Sequence, residues 1–263
     1  MIARGDAIIR VIYLKSSSMN QKARSFNRSQ HSFINEPQKA LENYISLGYH
    51  IEHDIFSDQE CDTLVNTAYE LEDAKNQIFR PNMMPHKQHD IFLKAMKKPF
   101  IVKTIATLVG GNAIGLQSEF FYSKPGTRGF SLHQDNFYVE ATYGVFASAW
   151  IALTDVYPEK GGLIIYPGSH KTGKLPVRKL NFATDISQDP NANNEEVMVP
   201  PQCTRCDITI SKGAILFIHG HLVHGSNTNI TNEWRYVLLC TYIKEGEDFR
   251  SGRYAKREEV QLI

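Results

Sequence analysis

Apolar and polar positions change rhythm partway along the chain. In the first hundred or so residues the apolar positions recur at helical spacing. Cys61, Leu64, Val65, Ala68 and Leu71 fall on one face of a 3.6-residue repeat. Just before them, Ser57-Asp-Gln-Glu60 reads as a capping box, which predicts a helix from 58 onward. Asn35 is placed to cap an earlier helix reaching about 47, with Pro37 in its first turn and Gly48 beyond its end. A short strand is predicted over 50–55. A further helix over 100–109 stops at Gly110-Gly111. From 113 the period shortens to two, or to brief buried runs. Strands are predicted over 113–122, 130–135, 145–153, 163–166, 196–199, 207–210, 214–218 and 234–243. Turn signals at Lys124-Pro-Gly, Lys160-Gly-Gly, Tyr166-Pro-Gly and Lys212-Gly separate several of them. Eight short strands so punctuated imply a jelly roll or barrel, with helices over one outer face. Two stretches break the pattern. Residues 171–194 are polar and rich in Asn and Asp, which predicts a flap over the mouth of a site. Residues 245–263 mix charges and read as a solvated surface.

Composition narrows the class. The 263 residues can bury one sizeable core, and 42% apolar with 22% charged residues is ordinary for a globular protein. A net charge of +1 gives no reason to expect nucleic acid or an anionic membrane surface as a partner. No run approaches 18 apolar residues, so no transmembrane helix is expected. The apolar stretch from Ala7 to Leu14 is interrupted by Arg10 and lacks a small-residue cleavage site, unlike a signal peptide. The expectation is therefore a cytoplasmic protein with one domain over 19–263, the start at Met1 or at Met19 being left open by the sequence. Residues 1–18 then form an N-terminal extension, with a disordered arm as the rival description. The cysteines are Cys61, Cys203, Cys206 and Cys240. The lone CxxC of Cys203 and Cys206 lacks the second pair or histidines of a structural zinc site and reads as two loop thiols.

The candidate chemistry lies in three separated motifs. FSLHQDNF holds His133 and Asp135, LVHGSNTN holds His224, and EWRYVL holds Arg235. On a strand, the i, i+2 spacing of His133 and Asp135 puts both side chains on one face. With His224 they make the two-imidazole, one-carboxylate set that holds Fe(II) in non-haem oxygenases and leaves positions open. Arg235 offers a rigid fork of donors that suits a carboxylate such as that of 2-oxoglutarate. Taken singly, each residue has a plainer structural reading; taken together, they specify a metal site. Other histidines read as structural: His219 and His221 as neighbours at a strand end, His170 as a turn residue, and His86 and His89 as part of a surface loop.

The stretches QSEFFYSKPGTRGFSLHQD, SAWIALTDVYPEKGGLIIYPGSHK and HGHLVHGSNTNITNEWRYVL together resemble the phytanoyl-CoA dioxygenase family of Fe(II)- and 2-oxoglutarate-dependent oxygenases, over about 117–242. The resemblance implies a mainly β fold with flanking helices, a double-stranded β-helix of the cupin-like jelly-roll type. It also implies a coupled reaction, in which O2 and 2-oxoglutarate are converted to succinate and carbon dioxide while a C–H bond of a small-molecule substrate is hydroxylated. Carried over by motif position, His133, Asp135 and His224 are the iron ligands. Arg235 pairs with the far carboxylate of 2-oxoglutarate, and Ser226 supports it. Lys124 of the KPG turn, Trp150 and Gln117 are cosubstrate-side positions. Asp135 occupies the place that related halogenases leave small, which implies hydroxylation or a related oxidation. The NFYVEATYG segment departs from the ectoine-hydroxylase pattern. Two alternatives stand beside this reading: a cupin-like metal dioxygenase that uses no 2-oxoglutarate, and a catalytically silent β-barrel binding protein. Asn136, Phe137, Tyr138 and Glu140 are further pocket candidates, and no basic cluster built for a CoA phosphate is apparent.

Overall fold

The computed structural model describes residues 25–180 and 195–262. The expectations for 1–18, and for the part of the flap over 181–194, lie outside the described residues. The helices are α1 (Pro37–Leu47), α2 (Asp58–Ala68), α3 (Glu72–Lys75), α4 (Asp90–Met96), α5 (Pro99–Val109) and α6 (Asn136–Val139). The strands are β1 (Tyr49–Glu52), β2 (Asn82–Met83), β3 (Ala113–Ser123), β4 (Phe146–Ala152), β5 (Leu163–Ile165), β6 (Val177–Lys179), β7 (Glu195–Val197), β8 (Cys206–Asp207), β9 (Ile215–His219), β10 (His224–Ser226) and β11 (Arg235–Lys244).

Local chemistry explains the helix ends. The capping box at Ser57 forms, with Ser57 accepting from the Glu60 amide and the Glu60 side chain reaching back. Gly48 and Gly110 end α1 and α5 at φ 82 and 71, the left-handed region that glycine enters without a Cβ penalty. The cap of α1 is Glu36 rather than the predicted Asn35, and it makes no side-chain cap bond.

A six-stranded antiparallel sheet, ordered β1-β9-β4-β11-β3-β2, faces a three-stranded sheet ordered β10-β5-β8. The two-residue period of the central strands decides what each face meets. Phe120, Tyr122, Ala149, Ile151, Phe217, Leu238 and Tyr242 point outward into a core shared with Tyr44, Leu64, Phe92 and Ile105 of the helices. Phe121, Trp150, Ala152, Ile218 and Val237 point the other way, toward Leu163, Ile165 and Ile208 of the small sheet. Each large side chain fully removed from water contributes about 1.5–3 kcal/mol, so this double burial holds β3, β4 and β11 rigidly in place. The site is built on the inner face of those strands.

Three sequence expectations are corrected. Residues 130–135 form no strand; His133 makes only an isolated backbone bridge with His224. The flap is not wholly loop, because β6 pairs antiparallel with β7, and the Val197 amide donates to the carbonyl of Leu132, the residue before His133. The C-terminal segment is not simply a solvated surface. Val260 exchanges backbone hydrogen bonds with Gly115, and Ala255 and Leu262 are buried. Charge content alone hides this, since one apolar residue per turn is enough to dock a mostly polar tail.

Candidate metal centre and cosubstrate pocket

The three separated motifs meet at one point. Ligand atoms of His133, Asp135 and His224 all lie within 4.8 Å of one another, the single such His/Cys/Asp/Glu group among the described residues. Asp135 Oδ1 is 3.5 Å from His133 Nε2 and 3.4 Å from His224 Nε2. The two imidazoles face each other with ring centroids 4.3 Å apart.

How they converge differs from the expected strand face. The reciprocal backbone bonds between His133 and His224 register the two imidazoles against each other. Asp135 is the residue before α6, where the chain turns in αR geometry and swings the carboxylate back over His133. Between them, Gln134 points away and ties the segment down, donating to the Gly173 and His221 carbonyls and accepting from the Leu175 amide. Gly225 separates His224 from Ser226 because β10 runs tight against the neighbouring chain. A Cβ there would lie 2.9 Å from the Phe130 carbonyl oxygen.

Backbone carbonyls fix the imidazole tautomers. His133 Nδ1 lies 2.8 Å from the Ser131 carbonyl, and His224 Nδ1 lies 3.0 Å from the Leu222 carbonyl. A carbonyl only accepts, so each Nδ1 carries the proton and each neutral Nε2 turns a lone pair to the common point. Asp135 Oδ2 accepts from Ser148 Oγ at 2.8 Å, which leaves Oδ1 for that same point. Burial pushes the Asp135 carboxyl up, but the two histidines beside it hold it well below the usual carboxylate range. Burial pulls the His224 imidazole down, yet the Asp135 charge lifts it above its ordinary value. This nitrogen and oxygen set, with its supporting hydrogen bonds, fits a divalent transition metal.

Arg235 opens β11 on the inner face of the sheet, is 3% exposed, and lines the same cavity of about 370 Å³ as the triad. One terminal nitrogen donates to Ser123 Oγ at 2.7 Å and the other to the Gly161 carbonyl, while Nε has no partner. No carboxylate pairs with it among the described residues, and burial alone pulls its guanidinium down to about 10. The Trp150 ring centre lies 6.0 Å from its guanidinium carbon. Ser226 Oγ is engaged as acceptor of the Phe130 amide. Gln117 also lines the cavity; its amide donates to Glu119, and its Oε1 has no partner. Lys124 is exposed in the turn after β3 and is not among the cavity-lining residues.

Several participants were not singled out from sequence. Ser148 and Ser123 hold the Asp135 carboxylate and the Arg235 guanidinium, yet a serine in a strand carries no motif. Thr241 pairs across from Gln117 on β11, lines the cavity and has an unpartnered buried Oγ1. Of the proposed pocket residues, Tyr138 lines the cavity. Asn136 instead bonds Ala141 and His221. His86, expected in a surface loop, is buried against Ser118. Of the unpartnered polar atoms on the cavity wall, Arg235 Nε and Thr241 Oγ1 can donate to an anionic guest, and Gln117 Oε1 can accept from a donor on it.

Comparison with known proteins agrees with this geometry. The family model described as "Phytanoyl-CoA dioxygenase (PhyH)" matches residues 44–237. Phytanoyl-CoA dioxygenase domain-containing protein 1 of Danio rerio is 30% identical over 170 residues, covering 62% of this chain and 56% of that protein. The peroxisomal phytanoyl-CoA dioxygenase of Rattus norvegicus is 24% identical over 179 residues, covering 66% of this chain and 52% of its own length. The chain thus spans about half the length of these curated relatives. Among solved structures, the carbocyclase SnoK superimposes with a TM-score of 0.68 at 20% identity, covering 85% of this chain and 90% of that one. EctD from S. alaskensis, solved with 2-oxoglutarate and 5-hydroxyectoine, gives 0.61 at 20% identity, covering 79% and 76%.

Proposed function

The chain belongs to the phytanoyl-CoA dioxygenase family, and from that premise we propose that it is an Fe(II)- and 2-oxoglutarate-dependent oxygenase that hydroxylates a C–H bond of a small molecule. Its two facing sheets are then the double-stranded β-helix of that family. His133, Asp135 and His224 hold the iron, which supplies the site for O2 activation coupled to loss of carbon dioxide from 2-oxoglutarate.

The observation that carries the reading is Arg235. A guanidinium that is 3% exposed with no described carboxylate partner is costly to keep unless an anion arrives to pair with it. Its terminal nitrogens are already oriented by Ser123 and Gly161. A dicarboxylate can therefore place its far end on Arg235 and its near end toward the triad. A dioxygenase without 2-oxoglutarate needs no such cation, and a silent binding protein needs neither the cation nor the fixed tautomers. Trp150, Phe121 and Leu239 on the cavity wall exclude water around that pair.

A cytoplasmic location accompanies the reading, supported by four cysteines that are all free thiols. No helix among the described residues is long and apolar enough to cross a membrane. The deciding experiment is anaerobic titration of the Fe(II) protein with 2-oxoglutarate, followed by succinate measurement on admitting air. Binding without any succinate, even with a broad substrate panel, would leave the silent-protein reading standing.

A further inference from the structure

The C-terminal turn forms a wall of the cavity that the sequence motifs do not reach. It follows the last residue matched by the family, 237, and brings Arg250, Arg253 and Arg257 to the cavity that holds the triad. The turn is closed on itself. The Arg257 amide donates to the Ser251 carbonyl at 2.8 Å, Ser251 Oγ donates to the Arg257 carbonyl at 3.1 Å, and the Lys256 amide donates to the Gly252 carbonyl at 3.1 Å. Buried Ala255 anchors it, and the Arg250 amide bonds the Val139 carbonyl at the end of α6, the helix that begins directly after Asp135.

The three arginines are used differently. Arg250 pairs with Glu140 at 3.1 Å and donates to the Tyr138 carbonyl. Arg257 donates to the Tyr138 and Arg250 carbonyls. Both strap the turn to α6. Arg253 sits on the exposed tip, touches only the face of Tyr254, its guanidinium carbon 5.5 Å from the ring centre, and has no carboxylate partner among the described residues. The charge of the cavity wall points the same way. Four arginines line it against two carboxylates, Glu119 and Asp135. Glu140 answers Arg250, and a bound metal dication and a 2-oxoglutarate dianion cancel each other, so one positive charge is left over with both in place. The same cavity wall carries apolar and aromatic side chains, among them Tyr138, Val139, Phe146 and Met83.

We propose that Arg253 is a substrate-recognition residue and that the substrate of this site is a small molecule with an apolar body and a terminal oxyanion, a carboxylate or a phosphate ester, held by the Arg253 guanidinium. This rests on the oxygenase reading for the identity of the reaction, but the binding it predicts does not require turnover. The backbone bonds fix where the turn presents Arg253, and pairing its guanidinium with an oxyanion favours the complex over a neutral analogue by roughly tenfold in affinity.

The test uses the protein loaded with Ni(II) and 2-oxoglutarate, a redox-silent form of the complex. Linear carboxylates of short to medium chain, their matched primary amides and matched alkyl phosphates are titrated by calorimetry. The wild type should bind an oxyanion series about tenfold more tightly than the amides, and the tighter of the two oxyanion series identifies the headgroup. Arg253→Gln should erase the preference and Arg253→Lys should keep most of it. Both variants should keep the wild-type affinity for 2-oxoglutarate and the wild-type unfolding midpoint. Amides binding as well as both oxyanions, a preference that survives Arg253→Gln, or a parallel loss of 2-oxoglutarate affinity would each overturn the assignment. Failure of the oxygenase reading itself appears separately, as a wild type that does not bind 2-oxoglutarate.

Discussion

Two histidine clusters lie on either side of the segment 134–136, and they have opposite chemistry. In the first, carbonyls take the N–H of His133 and His224, so both Nε2 lone pairs point inward beside Asp135. In the second, His219 and His221 have ring centroids 5.7 Å apart and His170 lies 4.9 Å from His219, with no carboxylate paired to them among the described residues. There, donors consume a lone pair each on His219 and His221, while His170 Nε2 donates to the Ile45 carbonyl. The His221 amide donates to His219 Nδ1, and Asn136 Nδ2 donates to His221 Nε2. Burial drives all three imidazoles toward the neutral form, His219 down to about 3. Counting histidines would rank the second cluster higher. Protons and one carboxylate decide instead, making the first the candidate cation site and the second a neutral packing block that braces the chain behind Asp135.

That contrast breaks most easily at the carboxylate. Asp135→Ala should reduce iron-dependent succinate formation by at least about a hundredfold, because two imidazoles alone hold Fe(II) weakly. His219→Gln should leave the metal-to-protein ratio near that of the wild type. Succinate measurement on the Asp135 variant and metal analysis of both purified variants check these, and a His219 variant that lost metal while the Asp135 variant kept it would reverse the assignment.

Arg235→Lys keeps the charge but loses the fork held by Ser123 and Gly161. The apparent affinity for 2-oxoglutarate should fall about 10- to 100-fold with iron affinity unchanged. Superimposable titration curves would remove the clamp from the picture.

A smaller effect is expected one shell out. Ser148→Ala frees Asp135 Oδ2 to rotate, and iron should bind about tenfold more weakly. Competition with a colorimetric chelator measures this.

The neutral cluster should reveal itself through pH. The folded His219 resists protonation until about 3, whereas the unfolded chain takes that proton near 6.5. Between those values the unfolded state binds more protons, so stability is fully present above 6.5 and declines as pH falls. From pH 7 to 5 this amounts to about 1–2 kcal/mol for His219, seen as a lower midpoint of thermal unfolding. His219→Gln should flatten that slope. An unchanged slope would mean that the cluster opens to water at little cost.

The legibility of the site followed the same division. His133, Asp135, His224 and Arg235 could be found because their residue types are constrained by coordination and ion pairing, and because short fixed spacings link them to Gly and Ser neighbours. The predicted strand under His133 and Asp135 is absent, since alternation over six residues cannot distinguish a strand from an extended segment held by side chains such as Gln134. Ser148, Ser123 and Thr241 act only through cross-strand placement, which depends on the order β9-β4-β11-β3. His86 and the arginine turn were misjudged because burial of a polar segment is set by what packs on it.

By itself the sequence determined the elements with strong local codes: the capping box at Ser57, the glycine-stopped helices α1 and α5, the long apolar strands β3, β4 and β11, and the donor types of the metal site. The tertiary structure alone decided which tautomer each ligand adopts, which serine holds Asp135, which histidines stay neutral, and that residues 250–257 wall the cavity. The physical reason is range. Capping and alternation act within a few residues, while Asp135 with Ser148, Arg235 with Ser123, and Arg250 with Tyr138 are 13, 112 and 112 positions apart and meet only once the sheet has closed.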